Sequence, residues 1–390
     1  EAQAYRRKAL EYYKRAETTA VSPLNRAEAQ LSQLRLLIQT RFSAAGTDQL
    51  LDPLIADLQS ALPYLPSGRR AIYAQINMGH SLMQLMKQTP GQTNKWADES
   101  AMAPLLQQAI AQAEVLQDER ALAHATGTLG HWYEIQREWT AARELTHTAL
   151  QKSQAIQAAD IAYQWQWQMG RILQGEADDN HTAKELASPD RGNPPLTPPE
   201  RGTGVADVQN LKSKIQNPED PPLAPPERGT GVAVVQNLKS KIQNPLVPAK
   251  ADAIAYYSQS VATLNSLRSD LVALNPDIQF SFRDQVEPVY RELVGLLLRD
   301  PDADQSQLRQ ARDVIESLQL AELDNFFRDT CARPQSVNIG AVDPTAAVFY
   351  PILLDDTSSQ STGPTSGQAG QRLEVIVQLP AQALSRQASG

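Results

Sequence analysis

A small motif recurs three times in this chain: an apolar residue, then a glycine, then a large residue three positions after the glycine. The three copies are Met78-Gly79-x-x-Leu82, Leu129-Gly130-x-x-Tyr133 and Met169-Gly170-x-x-Leu173. Each copy lies in a stretch whose apolar residues recur every three or four positions, which is the period of an amphipathic helix. The recurrence predicts that one structural unit is used several times.

The middle copy continues into a second helix that carries two small residues on one face. Ala142 follows Gly130 by twelve residues, and Ala149 follows Ala142 by seven, so both alanines lie on the same side of a helix. Small residues there let two antiparallel helices approach closely. Such a helix pair cannot bury its apolar stripe alone and has to stack on neighbouring pairs. The sequence therefore predicts a mainly α-helical solenoid that presents a groove.

This spacing resembles the tetratricopeptide repeat, whose first helix carries a Leu-Gly-x-x-Tyr box and whose second helix carries spaced alanines. The positions that fit in the middle copy are Leu129, Gly130, Tyr133, Ala142 and Ala149. The repeat's usual Trp, second aromatic and terminal Pro are replaced by Thr126, Thr146 and Gln154. The glycines lie 51 and 40 residues apart, against a usual period of ~34. We interpret residues 1–177 as degenerate tetratricopeptide-like repeats; a helical bundle with chance glycines is the alternative.

Equivalent offsets from the three glycines predict which first-helix side chains line a peptide-binding groove. They are Tyr73, His80, His124, His131, Glu134, Gln164, Trp167 and Arg171. A protein or peptide partner would make polar and aromatic contacts with them. Trp167 is the strongest candidate anchor because aromatic residues dominate binding energy at interfaces. A simple core position for Trp167 is the alternative.

Composition limits the remaining classes of protein. Hydrophobic residues make up 41% of the chain but aromatic residues only 6%, which favours helices over a large sheet core. A net charge of −8 makes nucleic acid an unexpected partner, and no long apolar run predicts a membrane span. The single cysteine fits a reducing, cytoplasmic compartment. The chain begins at Glu1 rather than Met, so an export signal could precede it.

Apolar periodicity and capping residues also predict the boundaries of individual elements. Helices are expected at 2–19, 24–43, 48–62, 68–88, 100–117, 119–137, 139–155, 158–174, 251–274, 284–299 and 304–331. The range 251–331 would continue the repeats and end in a linker helix. Ala255 and Ala262 repeat the seven-residue spacing of Ala142 and Ala149, so the helix that contains them is expected to complete the pair opened by Gly170.

An insertion is expected at 178–250, between these two paired helices. Residues 188–248 contain 12 of the 26 prolines, which forbids a continuous helix or a central strand. Inside it, residues 194–218 recur at 221–245 with two differences over 25 positions. The segment is interpreted as a tolerated disordered insertion with a recent duplication. A polyproline ligand for an adaptor domain is the alternative.

In the last part of the chain the spacing of apolar residues no longer follows the helical period. Residues 346–354 and 373–379 are short, apolar and rich in β-forming residues, and they predict a hairpin with a polar connection at 358–370. The residues ARDVIESLQLAELDNFF (311–327), VDPTAAVFYPILL (342–354) and LEVIVQLP (373–380), with the helix at 253–274, resemble the bacterial CHAT family of caspase-like proteins associated with tetratricopeptide repeats. The resemblance implies that residues 342–390 begin a caspase-like α/β domain and leave it incomplete.

The resemblance also implies where catalysis would reside. CHAT-type peptidases use a His/Cys pair beyond the first two strands, and this chain ends before either. Cys331 lies at the end of a predicted helix, upstream of those strands, and is interpreted as a packing residue. We expect no catalytic residue, cofactor or metal site, because the five histidines are scattered and lack ligand-spaced partners.

The expected function is therefore a protein-binding scaffold, the regulatory or targeting part of a CHAT-type cysteine protease. The alternative is that the chain forms part of an active caspase-like peptidase whose catalytic His and Cys lie outside it. The oligomeric state stays open.

Overall fold

The computed structural model describes residues 2–40, 47–88, 99–187, 250–274, 282–327, 342–343, 345–355, 371–380 and 382–388. This part of the chain is mainly helical, with a small antiparallel sheet of three strands near the C-terminus. Most of the predicted insertion, including its duplicated segment, lies outside the described residues, as does Cys331. No helix in the described ranges has the length and apolar character needed to cross a bilayer.

The helices of the described residues follow the predicted order. They are α1 (Ala2–Thr19), α2 (Pro23–Thr40), α3 (Thr47–Ala61), α4 (Arg69–Gln88), α5 (Glu99–Val115), α6 (Glu119–Ile135), α7 (Trp139–Ala155), α8 (Ala159–Ala187), α9 (Lys250–Leu274), α10 (Glu287–Leu297) and α11 (Gln305–Phe327). A 3₁₀ turn, Leu62–Tyr64, follows α3, and a π-helical segment, Phe282–Val286, precedes α10. The helix α8 is longer than predicted and continues beyond residue 177, into the range assigned to the insertion.

The described residues within Glu1–Ala177 and Leu246–Gly390 belong to one compact unit. Within this unit, apolar side chains of α2 to α6 make one core that contains Leu34 and Trp132. A second core joins α8, α9, α10 and α11 to the sheet and contains Tyr257 and Tyr290. Both cores consist of residues at three- and four-residue spacing on neighbouring helices, as an amphipathic pattern requires.

Three successive interhelix turns share one backbone geometry. Gln117, Arg137 and Gln157 follow α5, α6 and α7, and their φ angles are 52°, 59° and 54°. At each turn the next residue donates its N–H to a carbonyl five positions earlier, at 3.0, 3.0 and 2.9 Å. This is the Schellman ending of a helix, a position that usually holds glycine because a Cβ atom is strained in the left-handed region.

Replacing Gln117 or Gln157 by glycine should therefore stabilise the chain. Glycine removes a left-handed strain of about 1–2 kcal/mol per residue and loses about 0.5–1 kcal/mol to its freer unfolded state. We expect each variant to raise the free energy of unfolding by about 0.5–1 kcal/mol in urea denaturation. The matched control is Gln136→Gly, because Gln136 has a right-handed φ of −78° and should lose stability. Destabilisation by all three changes would contradict the strain argument.

Each motif glycine lies where another helix comes closest. A Cβ atom on Gly79 would lie 3.2 Å from Leu106 of α5, and one on Gly130 would lie 2.8 Å from the hydroxyl of Thr146 in α7. A Cβ atom on Gly170 would lie 2.6 Å from the ring of Tyr257 in α9. The recurrent glycines thus mark equivalent close contacts between each first helix and the helix expected to pair with it.

The helix α9 packs on α8, as the sequence predicted, but in a different register. The Ser260 hydroxyl donates to the Tyr163 carbonyl at 2.8 Å, and Thr263 Oγ1 donates to Gln166 Oε1 at 2.9 Å. The prediction that Ala255 and Ala262 face α8 was wrong, since both are exposed.

The buried pair on α9 lies two residues earlier in the chain. Ala253 and Ser260 are 1% and 0% exposed. They keep the seven-residue spacing of Ala142 and Ala149. The large ring of Tyr257 fills the space that Thr146 occupies in the preceding pair, so burial of this ring sets the register.

The C-terminal sheet has the order β1 (Val348–Asp355), β2 (Gln371–Gln378) and β3 (Ser385–Ala388), with antiparallel pairing throughout. Strands β1 and β2 form the predicted hairpin, whereas β3 was not predicted. The inward face of β1 is buried at Tyr350, Ile352 and Leu354. The Tyr350 hydroxyl donates to Glu316 of α11 at 2.7 Å, which fixes the sheet against that helix.

A buried carboxylate joins β2, β3 and α10. Glu374 is fully buried and accepts two hydrogen bonds of 2.8 Å from the guanidinium of Arg386, while Arg372 Nε lies at 3.4 Å. Arg386 and Arg372 also donate to the carbonyl of Leu298, the residue that follows α10, at 2.7 and 3.3 Å. The charge of the buried Glu374 carboxylate is therefore neutralised. The guanidinium groups that neutralise it also bind the C-terminal end of α10.

Candidate functional site

Helix α4 leaves a narrow polar stripe uncovered although it packs against α2, α5 and α6. The exposed side chains are Asn77, His80, Gln84 and Lys87, which recur at three- and four-residue spacing. The opposite side of the helix, with Met78, Leu82 and Leu85, is buried. The apolar period thus decides which side of α4 faces its neighbours and which polar side remains available for a ligand.

Helices α6 and α8 also carry a narrow stripe of side chains that the neighbouring helices do not fully cover. All eight side chains predicted to line a groove lie on the stripes of α4, α6 and α8. His80 is exposed, and the partly exposed ones are Tyr73, His124, His131, Glu134, Gln164, Trp167 and Arg171. Most of their helical neighbours are buried. We call the side chains of these stripes, with the residues that contact them, the α4–α6–α8 surface.

Aromatic rings connect the three helices at one end of this surface. The rings of Tyr73 and His124 lie 5.8 Å apart edge to face, and those of His124 and Trp165 lie 6.0 Å apart. Edge-to-face contacts of this kind are favourable for aromatic pairs. Burial, followed by the charge of Arg120, lowers the pKa of His124 to about 4, so the ring is neutral at pH 7.

His80 connects α4 to α6 through a threonine. His80 Nε2 lies 3.1 Å from Thr128 Oγ1, and the Thr128 hydroxyl donates to the His124 carbonyl at 2.7 Å. Because a hydroxyl has one proton to donate, His80 Nε2 must be the donor in its contact with Thr128. The neutral ring of His80 then carries its proton on Nε2, and Nδ1 is an acceptor.

A charged cluster connects α6 to α8. Arg171 donates to both carboxylate oxygens of Glu134, at 2.7 and 2.9 Å, and His131 Nδ1 lies 2.7 Å from Glu134 Oε2. Burial opposes the charge of Glu134, but Arg171 and His131 outweigh it and hold the pKa of this carboxyl far below its usual range. Burial lowers the pKa of His131 more than Glu134 raises it. Glu134 and Arg171 therefore form a charged, partly buried pair beside a neutral histidine.

Trp167 extends this cluster to α9 and α10. The guanidinium of Arg171 lies 4.2 Å from the centre of the Trp167 ring, which is a cation–π contact. The Trp167 indole N–H donates to Glu292 Oε2 at 2.7 Å, and the Tyr257 hydroxyl donates to the same oxygen at 2.9 Å. Burial, followed by Glu292, raises the pKa of Tyr257 well above its ordinary value. Trp167 is thus held in place from both sides while remaining partly exposed.

Most of the side chains that were selected by their sequence offsets from the glycines lie close to one another in the structure. Tyr73 contacts His124, and His131, Glu134, Arg171 and Trp167 form one connected cluster. His80 contacts Thr128, whose hydroxyl donates to the His124 carbonyl, and the contact found for Gln164 is a long one, 3.5 Å, to its neighbour Tyr163.

Sequence reasoning missed five other members of this surface: Lys87, Thr128, Trp165, Tyr257 and Glu292. Lys87 follows Tyr73 and His80 at seven-residue steps, so helical periodicity could have found it. Thr128 lies four residues after His124, on the same face of α6, so helical periodicity could have identified it as well. No local signal points to Glu292, because it approaches Trp167 from a helix 125 residues further along the chain.

Two other features of the described residues concern metal binding and ligand binding. No group of three or more His, Cys, Asp or Glu side chains in that part of the chain is placed to hold a metal ion. A cleft of about 490 Å³ between α9 and α11 is lined by residues such as Ser258, Asn265 and Arg309. None of its lining residues belongs to the α4–α6–α8 surface.

Comparison with known proteins assigns no family to the chain. No protein-family model matches it, and no curated protein does.

Proposed function

We propose that this chain is a non-catalytic interaction module that binds a protein or peptide segment along the α4–α6–α8 surface. The observation that carries the proposal is two sets of contacts between the stripes, one from Tyr73 through His124 to Trp165 and one from His131 through Glu134 and Arg171 to Trp167. Together the two sets combine aromatic rings, neutral histidines and an arginine. These side chains recognise extended polar segments through stacking and hydrogen bonds.

The proposal includes a repeat architecture of the tetratricopeptide type. Its support is the recurrence of one close contact at Gly79, Gly130 and Gly170, together with three successive turns of the same geometry. Identical local geometry in successive helix pairs is the expected consequence of a repeated unit. In such an array the first helices would line the binding face.

We further propose that the module regulates or targets a CHAT-type cysteine protease. The support is the resemblance of residues 311–380, together with the observed order of the long helix α11 followed by an antiparallel hairpin.

A display experiment tests the binding proposal. Peptides selected from a random phage library on the full chain are expected to bind it in fluorescence anisotropy, and Trp167→Ala should weaken binding at least about tenfold, or ~1.4 kcal/mol. Trp167→Phe keeps the ring beneath Arg171 and removes the indole N–H. It should weaken binding less than Trp167→Ala does.

The matched control is Tyr64→Ala, because Tyr64 is an exposed aromatic residue, 88% accessible, outside the α4–α6–α8 surface. It should leave affinity unchanged. Circular dichroism at each step checks that the variants fold. Equal affinity of the wild type and a folded Trp167→Ala variant for every selected peptide would contradict the proposal.

A further inference from the structure

The cleft between α9 and α11 follows one face of each helix. On α9 the lining residues recur at three- and four-residue spacing: Ser258, Val261, Ala262 and Asn265. On α11 they extend from Ser306 to Ser317, which corresponds to about 16 Å of helix. The volume of about 490 Å³ lies within the usual range of small-molecule sites, about 300–1,000 Å³. The shape of the cleft therefore fits an elongated small molecule.

The apolar wall of the cleft is aliphatic. Val261 of α9, Leu293 of α10 and Val314 of α11 line it and are at most 7% exposed, since they belong to the second core. None of the lining residues, all of which the structure describes, has an aromatic ring on which a planar ligand could stack. A flexible hydrocarbon chain is the kind of apolar group that such a wall accommodates.

Two serine hydroxyls in one part of the cleft are available as proton donors. Gln310 Nε2 donates to Ser258 Oγ at 3.0 Å, so Ser258 is the acceptor in this contact and keeps its own proton. Ser306 lies four positions before Gln310, on the same face of α11. In the described part of the chain no hydrogen bond uses either hydroxyl proton. A ligand bound near Gln310 therefore has to present acceptor atoms.

Arg309 adds a positive charge to this part of the cleft. It directly precedes Gln310, whose side chain contacts Ser258, and it lines the same cleft. Within the described ranges its exposed guanidinium makes no hydrogen bond or ion pair. The carboxylate of Asp313, which also lines the cleft, is bound by its neighbour Arg312 at 3.0 and 2.7 Å and is therefore not the counter-ion of Arg309. A guanidinium beside hydroxyl donors matches an anion with two acceptor oxygens.

We propose that this cleft binds a straight-chain aliphatic carboxylate. The carboxylate group accepts from Arg309 and Ser258, and the hydrocarbon chain lies along Val261, Leu293 and Val314. A single available guanidinium matches a monoanion better than a dianionic phosphate, which cationic sites usually neutralise with more than one group. The inference goes beyond the proposed binding function and does not depend on it, because no lining residue belongs to the α4–α6–α8 surface.

Titration calorimetry of the full chain with hexanoate, octanoate and decanoate tests the ligand class. Octanoate should bind, and affinity should rise about two- to fourfold for each methylene group added to the acid. Octanol lacks the charge and should bind at least about tenfold more weakly than octanoate. Absence of binding by all three acids would overturn the proposal, and so would equal affinity for octanol and octanoate. Tighter binding of octyl phosphate would overturn the carboxylate assignment.

A change of charge at the cleft tests the contact with the carboxylate group. Arg309→Gln, at an exposed position, should weaken octanoate binding at least about tenfold and leave the weaker octanol binding unchanged. The matched control is Arg7→Gln, which makes the same change at an exposed arginine of α1 and should keep the wild-type affinity for octanoate.

A bulky substitution tests where the hydrocarbon chain lies. Ala262→Trp, at an exposed lining position, should abolish octanoate binding because the indole ring fills the cleft. Ala255→Trp should not, since Ala255 is exposed on the same helix but lies outside the cleft. Circular dichroism checks that each variant folds. Wild-type affinity for octanoate in a folded Arg309→Gln or Ala262→Trp variant would overturn the proposal.

Discussion

Glu374→Ala should lower the free energy of unfolding of the C-terminal sheet region by about 3 kcal/mol. The carboxylate is fully buried and neutralises the guanidinium of Arg386, whose side chain is only 11% exposed. Removing one partner of a buried ion pair costs about 3–5 kcal/mol because it leaves an unpaired charge. The lower end applies here, since Arg386 keeps its hydrogen bonds to the Leu298 and Asp300 carbonyls. Hydrogen exchange of the β2 and β3 amides measures the loss directly.

The control for this prediction is Glu114→Ala, at an exposed carboxylate of α5 outside the ion pairs described above. Its effect should stay within about 0.5 kcal/mol, as is usual for surface substitutions. Protection of the α4 and α6 amides should be unchanged in both variants. If Glu374→Ala exchanged like the wild type at β2 and β3, the buried pair would not hold the sheet.

Glu134→Ala should lower the stability of the helical part by about 2–3 kcal/mol. Glu134 and Arg171 are 11% and 20% exposed, and the pair also orients His131. Loss of the carboxylate leaves a desolvated guanidinium, and the partial exposure of that group keeps the cost below the full value for a buried pair. Burial opposes the charge of Arg171, but Glu134 outweighs it and raises the pKa of the guanidinium. The variant loses this contribution, but a guanidinium group stays protonated in proteins, so Arg171 cannot discharge to escape the cost at neutral pH.

Urea unfolding followed by circular dichroism measures this effect. Glu138→Ala provides the control, because Glu138 is exposed and its side chain makes no capping hydrogen bond to α7. A Glu134→Ala variant as stable as Glu138→Ala would show that the cluster contributes no stability. Its side chains would then be free to rearrange around a ligand.

Local sequence patterns were sufficient to predict most helices of the described region. The ranges 2–19 and 139–155 coincide with α1 and α7 because apolar periodicity and turn residues act over a few positions. The glycine motif also predicted which helices approach closely, since a missing Cβ atom is itself a local feature. The offsets from those glycines placed all eight candidate residues on partly exposed stripes for the same reason.

Features that depend on distant residues were missed. The register of α9 follows the burial of Tyr257 against Gly170, so counting alanines selected the wrong face. Strand β3 is four residues long and lacks β-branched or aromatic residues, but Arg386 pairs with Glu374 across the sheet and holds it there. Glu292 joins the candidate site from α10 and carries no local signal. In each case a tertiary contact decides the outcome.

The central claim is that a partner segment lies on the α4–α6–α8 surface, and site-specific occlusion tests it most directly. In a Cys331→Ser background, Gln84→Cys places a thiol on the exposed stripe of α4, and Tyr64→Cys places one at an exposed position outside that surface. Both are labelled with the same bulky maleimide, and binding of a selected peptide is measured by anisotropy. We predict that the label at position 84 abolishes binding and that the label at position 64 leaves affinity unchanged. Unchanged binding with the label at position 84 would contradict the claim.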